Sequence, residues 1–233
     1  MAIQGNALAV LAKAPIAGSV KTRLVPPLTH EQAALLYRAL LIDQLEHLRG
    51  LTGCELFLLF APPSAEAEMR ALAPSAYHLS PQQGDDLGAR MASAFGAMRR
   101  AGYKNIILIG GDLAPVPRDY FAAAFMFLES QDRRVVLGPS LDGGYYLIGA
   151  NQPIDELFHG MTWSHEQVLA QTQARLITLN MRYFLLPTWF DVDTPADIDR
   201  LESQIASELA LAMPHTTAWL RHQGCRRDDA STR

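Results

Sequence analysis

Residues 12–24 read Ala-Lys-Ala-Pro-Ile-Ala-Gly-Ser-Val-Lys-Thr-Arg-Leu and follow directly on the apolar run Ala7-Leu8-Ala9-Val10-Leu11. A buried strand that empties into such a loop brings Lys13, Lys21 and Arg23 together with the hydroxyls of Ser19 and Thr22. Gly18 permits a sharp turn and a close approach of the backbone to a ligand. The Arg23 guanidinium can grip phosphate oxygens through two parallel hydrogen bonds. This is the chemistry of a polyphosphate site at the carboxyl end of a first strand. A solvated basic surface loop is the plainer alternative. The segment matches neither the P-loop pattern nor the dinucleotide glycine fingerprint.

Three further clusters carry groups suited to chemistry. In Gly110-Gly111-Asp112-Leu113-Ala114-Pro115 an aspartate sits in a turn just past the apolar run 106–109. Its carboxylate is the hard oxygen ligand that Mg²⁺ prefers and shares with substrate phosphates, although aspartate also caps turns with no ligand present. In 137–149, Asp142-Gly143-Gly144-Tyr145-Tyr146 can be a hairpin turn between strands. It can equally offer Asp142 to substrate hydroxyls, with Gly143 and Gly144 leaving room for a sugar or base and Tyr145 adding ring or hydroxyl contacts. In Trp189-Phe190-Asp191-Val192-Asp193-Thr194-Pro195-Ala196-Asp197, Asp191 and Asp193 share one face of an extended segment. They can complete a divalent metal site with Asp112. Asp193 and Asp197 can instead favour the positive end of the helix that Thr194-Pro195 begins, and for Asp197 that structural reading is preferred. A weaker element, Met161-Thr162-Trp163-Ser164-His165, places Trp163 either in the core or at the border of an acceptor pocket. No Ser/His/Asp or Cys/His arrangement is visible, which speaks against covalent catalysis.

The elements that must position these groups alternate along the chain. Strands are expected at 6–12, 55–60, 105–110, 134–137, 145–149 and 182–185, and helices at 30–48, 65–72, 87–100, 118–130, 165–178 and 195–211. Thr29 with Gln32 and Ser164 with Gln167 have capping-box spacing, and Thr194-Pro195 fits an N-cap followed by proline. Such alternation predicts an α/β fold with a mainly parallel sheet covered on both faces, in three α/β/α layers. In an open α/β sheet the ligand lies outside the carboxyl ends of the strands, where these clusters fall. A single domain over 1–213 with a polar C-terminal tail over 214–233 is the simplest division of the 233 residues. A formal net charge of −4 argues against a nucleic-acid partner and points the local basic loop at a small anion. Two cysteines, Cys54 and Cys225, make neither a metal motif nor a disulfide framework. No apolar stretch reaches the length of a membrane span and no secretory signal is evident, so a cytoplasmic protein is expected. A homodimer stays open as its assembly.

Taken in order from about residue 6 to 205, these motifs resemble the nucleotide-diphospho-sugar transferase (GT-A-like) superfamily, which includes glycosyltransferases and nucleotidyltransferases. More narrowly, Lys13-Ala14-Pro15 with Gly18–Leu24, Leu137-Gly138-Pro139 with Asp142–Tyr146, Trp163-Ser164, and Asp191–Pro195 resemble the bacterial family DUF2064. That family often carries a small polar residue and then Cys-Pro around its central aspartate, where this chain has Gly111-Asp112-Leu113-Ala114-Pro115. The resemblance implies a Mg²⁺- or Mn²⁺-dependent reaction at a nucleotide phosphate. Lys21 and Arg23 would hold the terminal phosphates of a nucleoside triphosphate, and Asp112 with Asp191 and Asp193 the metal. Lys13, Gly18, Thr22, Asp142, Gly143, Gly144, Tyr145 and Trp163 would bind substrate. The Lys-Thr-Arg-Leu loop and the lone aspartate before Leu-Ala-Pro are more similar to guanylyl- and cytidylyltransferases, which implies nucleotidyl transfer to a small phosphorylated acceptor. Glycosyl transfer from a nucleotide sugar is the close alternative, and a nucleotide-binding module without turnover a more distant one.

Overall fold

The computed structural model describes residues 4–206 and 212–231. Seven strands form one sheet: β1 (Gln4–Lys13), β2 (Cys54–Ala61), β3 (Tyr77–Pro81), β4 (Tyr103–Gly110), β5 (Arg134–Pro139), β6 (Tyr145–Ala150) and β7 (Arg182–Leu185). Their order is β3-β2-β1-β4-β6-β5-β7. Among the described strands β6 alone runs against its neighbours, pairing antiparallel with β4 and β5. The central strands β1 and β4 are apolar at nearly every position, as strands covered on both faces must be. Leu8 and Val10 face one core layer, with Ile107 and Ile109, while Ala7, Ala9, Ile106 and Leu108 face the other.

The first layer holds α1 (His30–Leu48), α2 (Glu66–Leu72) and α4 (Arg118–Leu128); the second holds α3 (Leu87–Arg100) and α5 (Val168–Thr178). A third apolar cluster joins α1 to α6 (Pro195–Gln204) and α7 (Pro214–Ser231), through Leu36, Leu40, Ile198, Leu201 and Leu220. The chain runs from β1 outward to β3 and returns to β4 on the other side of β1. The reversal leaves a crevice at the carboxyl ends of β1 and β4.

The expected α/β fold with a mainly parallel sheet is the fold observed. Four details differ from expectation. Strand β3 was not anticipated; its Tyr-His-Leu-Ser-Pro sequence is short, largely exposed and lies at the sheet edge. Ser164 does not cap α5: it has φ +65°, and the helix begins only at Val168. The backbone N–H of Gln167 instead donates to the His165 Nδ1, 3.1 Å away. Helix α6 runs to Gln204, and residues 207–211 of the expected 195–211 helix lie outside the described residues. The segment set apart as a tail contains α7, whose first N–H groups, those of His215 and Thr216, donate to the buried Asp43 carboxylate at 3.0 and 2.7 Å.

Candidate functional site

Beyond β1 the chain turns through Gly18 at φ +78°, a conformation open to glycine, and enters a single 3-10 turn, Thr22–Leu24. Leu24 is fully buried in the cluster between α1 and α6, so one apolar side chain pins the loop to the scaffold. Lys21 sits just before that turn in the left-handed region, at φ 50° and ψ 38°. A non-glycine residue there costs on the order of 1 kcal/mol, and it persists because the surroundings over-determine it. Its ammonium, with only 2% of the side chain exposed, donates to Asp112 Oδ2 at 2.8 Å and Asp193 Oδ1 at 2.6 Å. Burial alone would lower the pKa of Lys21, but the two carboxylates outweigh it and hold it above its ordinary value.

The segment before α6 brings the other carboxylates in. Leu113 and Asp191 form an antiparallel bridge, and the Val192 N–H donates to the Asp112 carbonyl at 3.3 Å. Val192 is buried between two partly exposed aspartates, so Asp191 and Asp193 share a face as their alternation requires. Asp197 plays the structural part expected of it, accepting from the Thr194 N–H at 2.8 Å at the start of α6. Asp191 accepts from Ser140 Oγ at 3.0 Å. Burial, and then the carboxylates of Asp112, Asp193 and Asp142, push Asp191 up to about 6. Three carboxylates whose oxygens lie within 4.8 Å of one another, with one ammonium among them, leave negative charge unbalanced. All three are hard oxygen donors, the set that Mg²⁺ or Mn²⁺ takes, so the residues fit the ion implied by the sequence.

Two chambers meet at Asp112. The larger, about 570 Å³, is lined by Lys13, Lys21, Thr22 and Tyr145 among others. The smaller, about 180 Å³, is lined by Asp142, Gly144, Trp163 and Asp191 and shares Asp112 and Tyr145 with the first. Arg23 is on the rim, its side chain 63% exposed and 3.8 Å from Asp193. Gly18 and Gly143 line neither chamber. Gly143, at φ +87°, lets the loop after β5 pass the 166 backbone, because a Cβ there would meet the Glu166 carbonyl oxygen at 2.0 Å. The hairpin alternative for this loop also holds, since β5 and β6 pair on either side of it. The structure thus gathers Lys21, Arg23, Asp112, Asp191 and Asp193, with Lys13 and Thr22 on one side and Asp142, Gly144 and Trp163 on the other.

Sequence reasoning missed Tyr37, Gln82 and Ser140. Tyr37 Oη accepts the Lys13 N–H at 3.0 Å, so its own proton is free to point into the larger chamber and finds no acceptor among the described residues. Burial and the Asp112 carboxylate push its pKa well up, so it stays a donor. Gln82 ties the ends of β1 and β2 together by donating to the Ala12 and Leu59 carbonyls at 2.9 and 2.8 Å. Both look like ordinary helix-face and loop residues in sequence; only tertiary packing brings them to the crevice.

The sheet order, the reversal at β1 and β4, and the polar crevice beyond their ends define a nucleotide-diphospho-sugar transferase fold. Residues 44–165 match DUF2064, described as an uncharacterized protein conserved in bacteria, and the chain belongs to that family. It is similar, at 30% identity and a TM-score of 0.85, to a candidate nucleotide-diphospho-sugar transferase from Desulfovibrio desulfuricans G20, over 94% of this chain and 95% of that one. The fold also resembles 4-diphosphocytidyl-2C-methyl-D-erythritol synthase from Anaerococcus prevotii, at a TM-score of 0.58 and 9% identity over 88% and 98% of the two chains. It resembles CMP:2-keto-3-deoxy-manno-octonic acid synthetase, solved with CTP, at a TM-score of 0.51 and 14% identity over 88% and 99%. A comparison with curated proteins gives no match. No helix among the described residues is long and apolar enough to cross a membrane.

Proposed function

We propose that this chain is a nucleotide-dependent transferase whose donor is a nucleoside triphosphate, and that it catalyses nucleotidyl transfer. The observation that carries the reading is the convergence of a buried ammonium and three carboxylates beyond the carboxyl ends of β1 and β4, with Lys21, Asp112 and Asp193 lining a chamber of about 570 Å³ and Asp191 the smaller chamber beside it. The donor lies in that chamber with its phosphates over the loop. Lys13, Thr22 and the Tyr37 hydroxyl supply hydrogen bonds to phosphate oxygens, and Arg23 reaches the terminal phosphates from the rim. Lys21 orients Asp112 and Asp193 and sets a fixed positive charge beside the reacting phosphorus, where charge develops. A Mg²⁺ or Mn²⁺ ion held by Asp112, Asp191 and Asp193 would polarise a phosphoryl oxygen. Positioning and electrostatic preorganisation are the part these side chains play.

Glycosyl transfer from a nucleotide sugar is the second reading, favoured by the absence of any Lys or Arg among the described residues lining the smaller chamber. ³¹P NMR of the protein with Mg²⁺, each nucleoside triphosphate and each common nucleotide sugar, over a panel of small acceptors, separates the two. Pyrophosphate release from a triphosphate is expected. Release of nucleoside diphosphate from a nucleotide sugar would install the second reading, and consumption of neither would overturn both.

A further inference from the structure

The smaller chamber differs in chemistry from the larger one. Its walls carry the carboxylates of Asp112, Asp142 and Asp191 and the rings of Tyr145 and Trp163, and no Lys or Arg among the described residues. The one further basic side chain there, His165, is already engaged at both nitrogens: Nδ1 accepts the Gln167 N–H at 3.1 Å, which leaves Nε2 to donate to Thr162 Oγ1 at 2.9 Å. A divalent ion on the triad, the Lys21 ammonium and the Arg23 guanidinium 3.8 Å from Asp193 together bring four positive charges against the four carboxylates of Asp112, Asp142, Asp191 and Asp193, so none is left over for a further anion. The donor's own phosphates add further negative charge from the other side of Asp112. A phosphate monoester placed in this chamber would find each neighbouring cation already committed to a carboxylate, and leaving an anion unpaired there is costly. A protonated amine is favoured electrostatically but has no lone pair with which to attack. A hydroxyl suits both demands: it donates to a carboxylate and keeps lone pairs for reaction. Apolar ring faces beside a few polar groups are what a small neutral ligand needs for orientation.

Resting on the transferase reading above, we infer that the smaller chamber is the acceptor site and that it takes an uncharged polyol through its hydroxyls, not a phosphorylated acceptor. Asp142 is its main hydrogen-bonding wall. One carboxylate oxygen accepts the Gly144 N–H at 2.9 Å, which fixes the side chain, and the other is free for a hydroxyl. The acceptor hydroxyl then sits within reach of Asp112, the one carboxylate common to both chambers.

Saturation-transfer NMR on the full chain with Mg²⁺ and no nucleotide tests this, with glycerol, myo-inositol, D-glucose and D-mannose each set against its monophosphate. At least one neutral polyol should bind about tenfold more tightly than its monophosphate. Asp142→Asn keeps an acceptor for the Gly144 N–H, so the loop is retained, yet it should weaken that polyol about tenfold. Tighter binding of any monophosphate than of its parent, or no polyol signal that depends on Asp142, overturns the inference. Nucleotide binding is read separately by thermal shift on the same preparation, so loss of the donor reading is distinguishable from loss of this one.

Discussion

Replacing Lys21 with Met keeps the length of the side chain and removes its charge, leaving Asp112, Asp191 and Asp193 within 4.8 Å of one another with no ammonium among them. Breaking a buried ion pair costs about 3–5 kcal/mol. Here the partner carboxylates are about one-third exposed, 34% for Asp112 and 32% for Asp193, so water screens part of the loss. A deficit of about 2–3 kcal/mol follows, a fall of about 4–12 °C in Tm for a chain of this size. The deficit has a distinctive pH dependence. Without the ammonium, three carboxylates repel one another across less than 4.8 Å, and that repulsion is present only while they are ionised. Lys21→Met should therefore approach the wild type near pH 4, where protonation relieves the repulsion, and fall behind above about pH 6. Millimolar Mg²⁺ should raise the variant's Tm more than the wild type's, since the ion supplies positive charge that the ammonium no longer does. Thermal unfolding in EDTA and in Mg²⁺ across pH 4–8 reads all of this. Equal stability at pH 7.5, or a deficit that does not change with pH, would refute the electrostatic reasoning and leave only packing.

Asp191, pushed up to about 6, destabilises the fold as pH rises through that value, so Asp191→Asn should gain about 1–3 kcal/mol above pH 6, match the wild type near pH 4, and lose its Mg²⁺-dependent thermal shift. Denaturant titration at the two pH values checks the sign. Leu24→Ala should cost about 2–5 kcal/mol and weaken nucleotide binding with it, because that side chain pins the loop; calorimetric affinity unchanged in a destabilised variant would separate the loop from the site. Tyr37→Phe retains the ring and removes the unpaired donor, so nucleotide affinity should drop about tenfold for a stability loss of about 1 kcal/mol, and undiminished affinity would remove Tyr37 from the phosphate cradle.

Much of the scaffold was legible because its signals are local. The continuous apolar run 106–109 marks a strand buried on both faces, and Thr29 with Gln32 forms the capping box its spacing announces, with the Thr29 hydroxyl accepting the Gln32 N–H at 3.2 Å. The alternation of Asp191 and Asp193 around Val192 likewise requires nothing beyond an extended backbone. Relations between distant segments were not legible. That Lys21 bridges Asp112 and Asp193, across separations of 91 and 172 residues, depends on the sheet order, and so does the arrival of Tyr37 from α1. Strand β3 escaped because an exposed edge strand lacks apolar periodicity. Ser164 misled because Ser-x-x-Gln spacing says nothing of the left-handed backbone that places it on the chamber wall.

The central claim, that nucleotide phosphates and a divalent ion meet at the acidic triad beside Lys21, is tested most directly by thermal shift of the full chain with each nucleoside triphosphate, in Mg²⁺ and in EDTA, for the wild type and Asp112→Ala. A ligand that binds the folded state raises its stability by mass action. The account predicts that at least one triphosphate stabilises the wild type in Mg²⁺, several degrees more than in EDTA, and that Asp112→Ala, itself folded, loses the difference. A shift that is independent of the metal, or equal in Asp112→Ala, would contradict it.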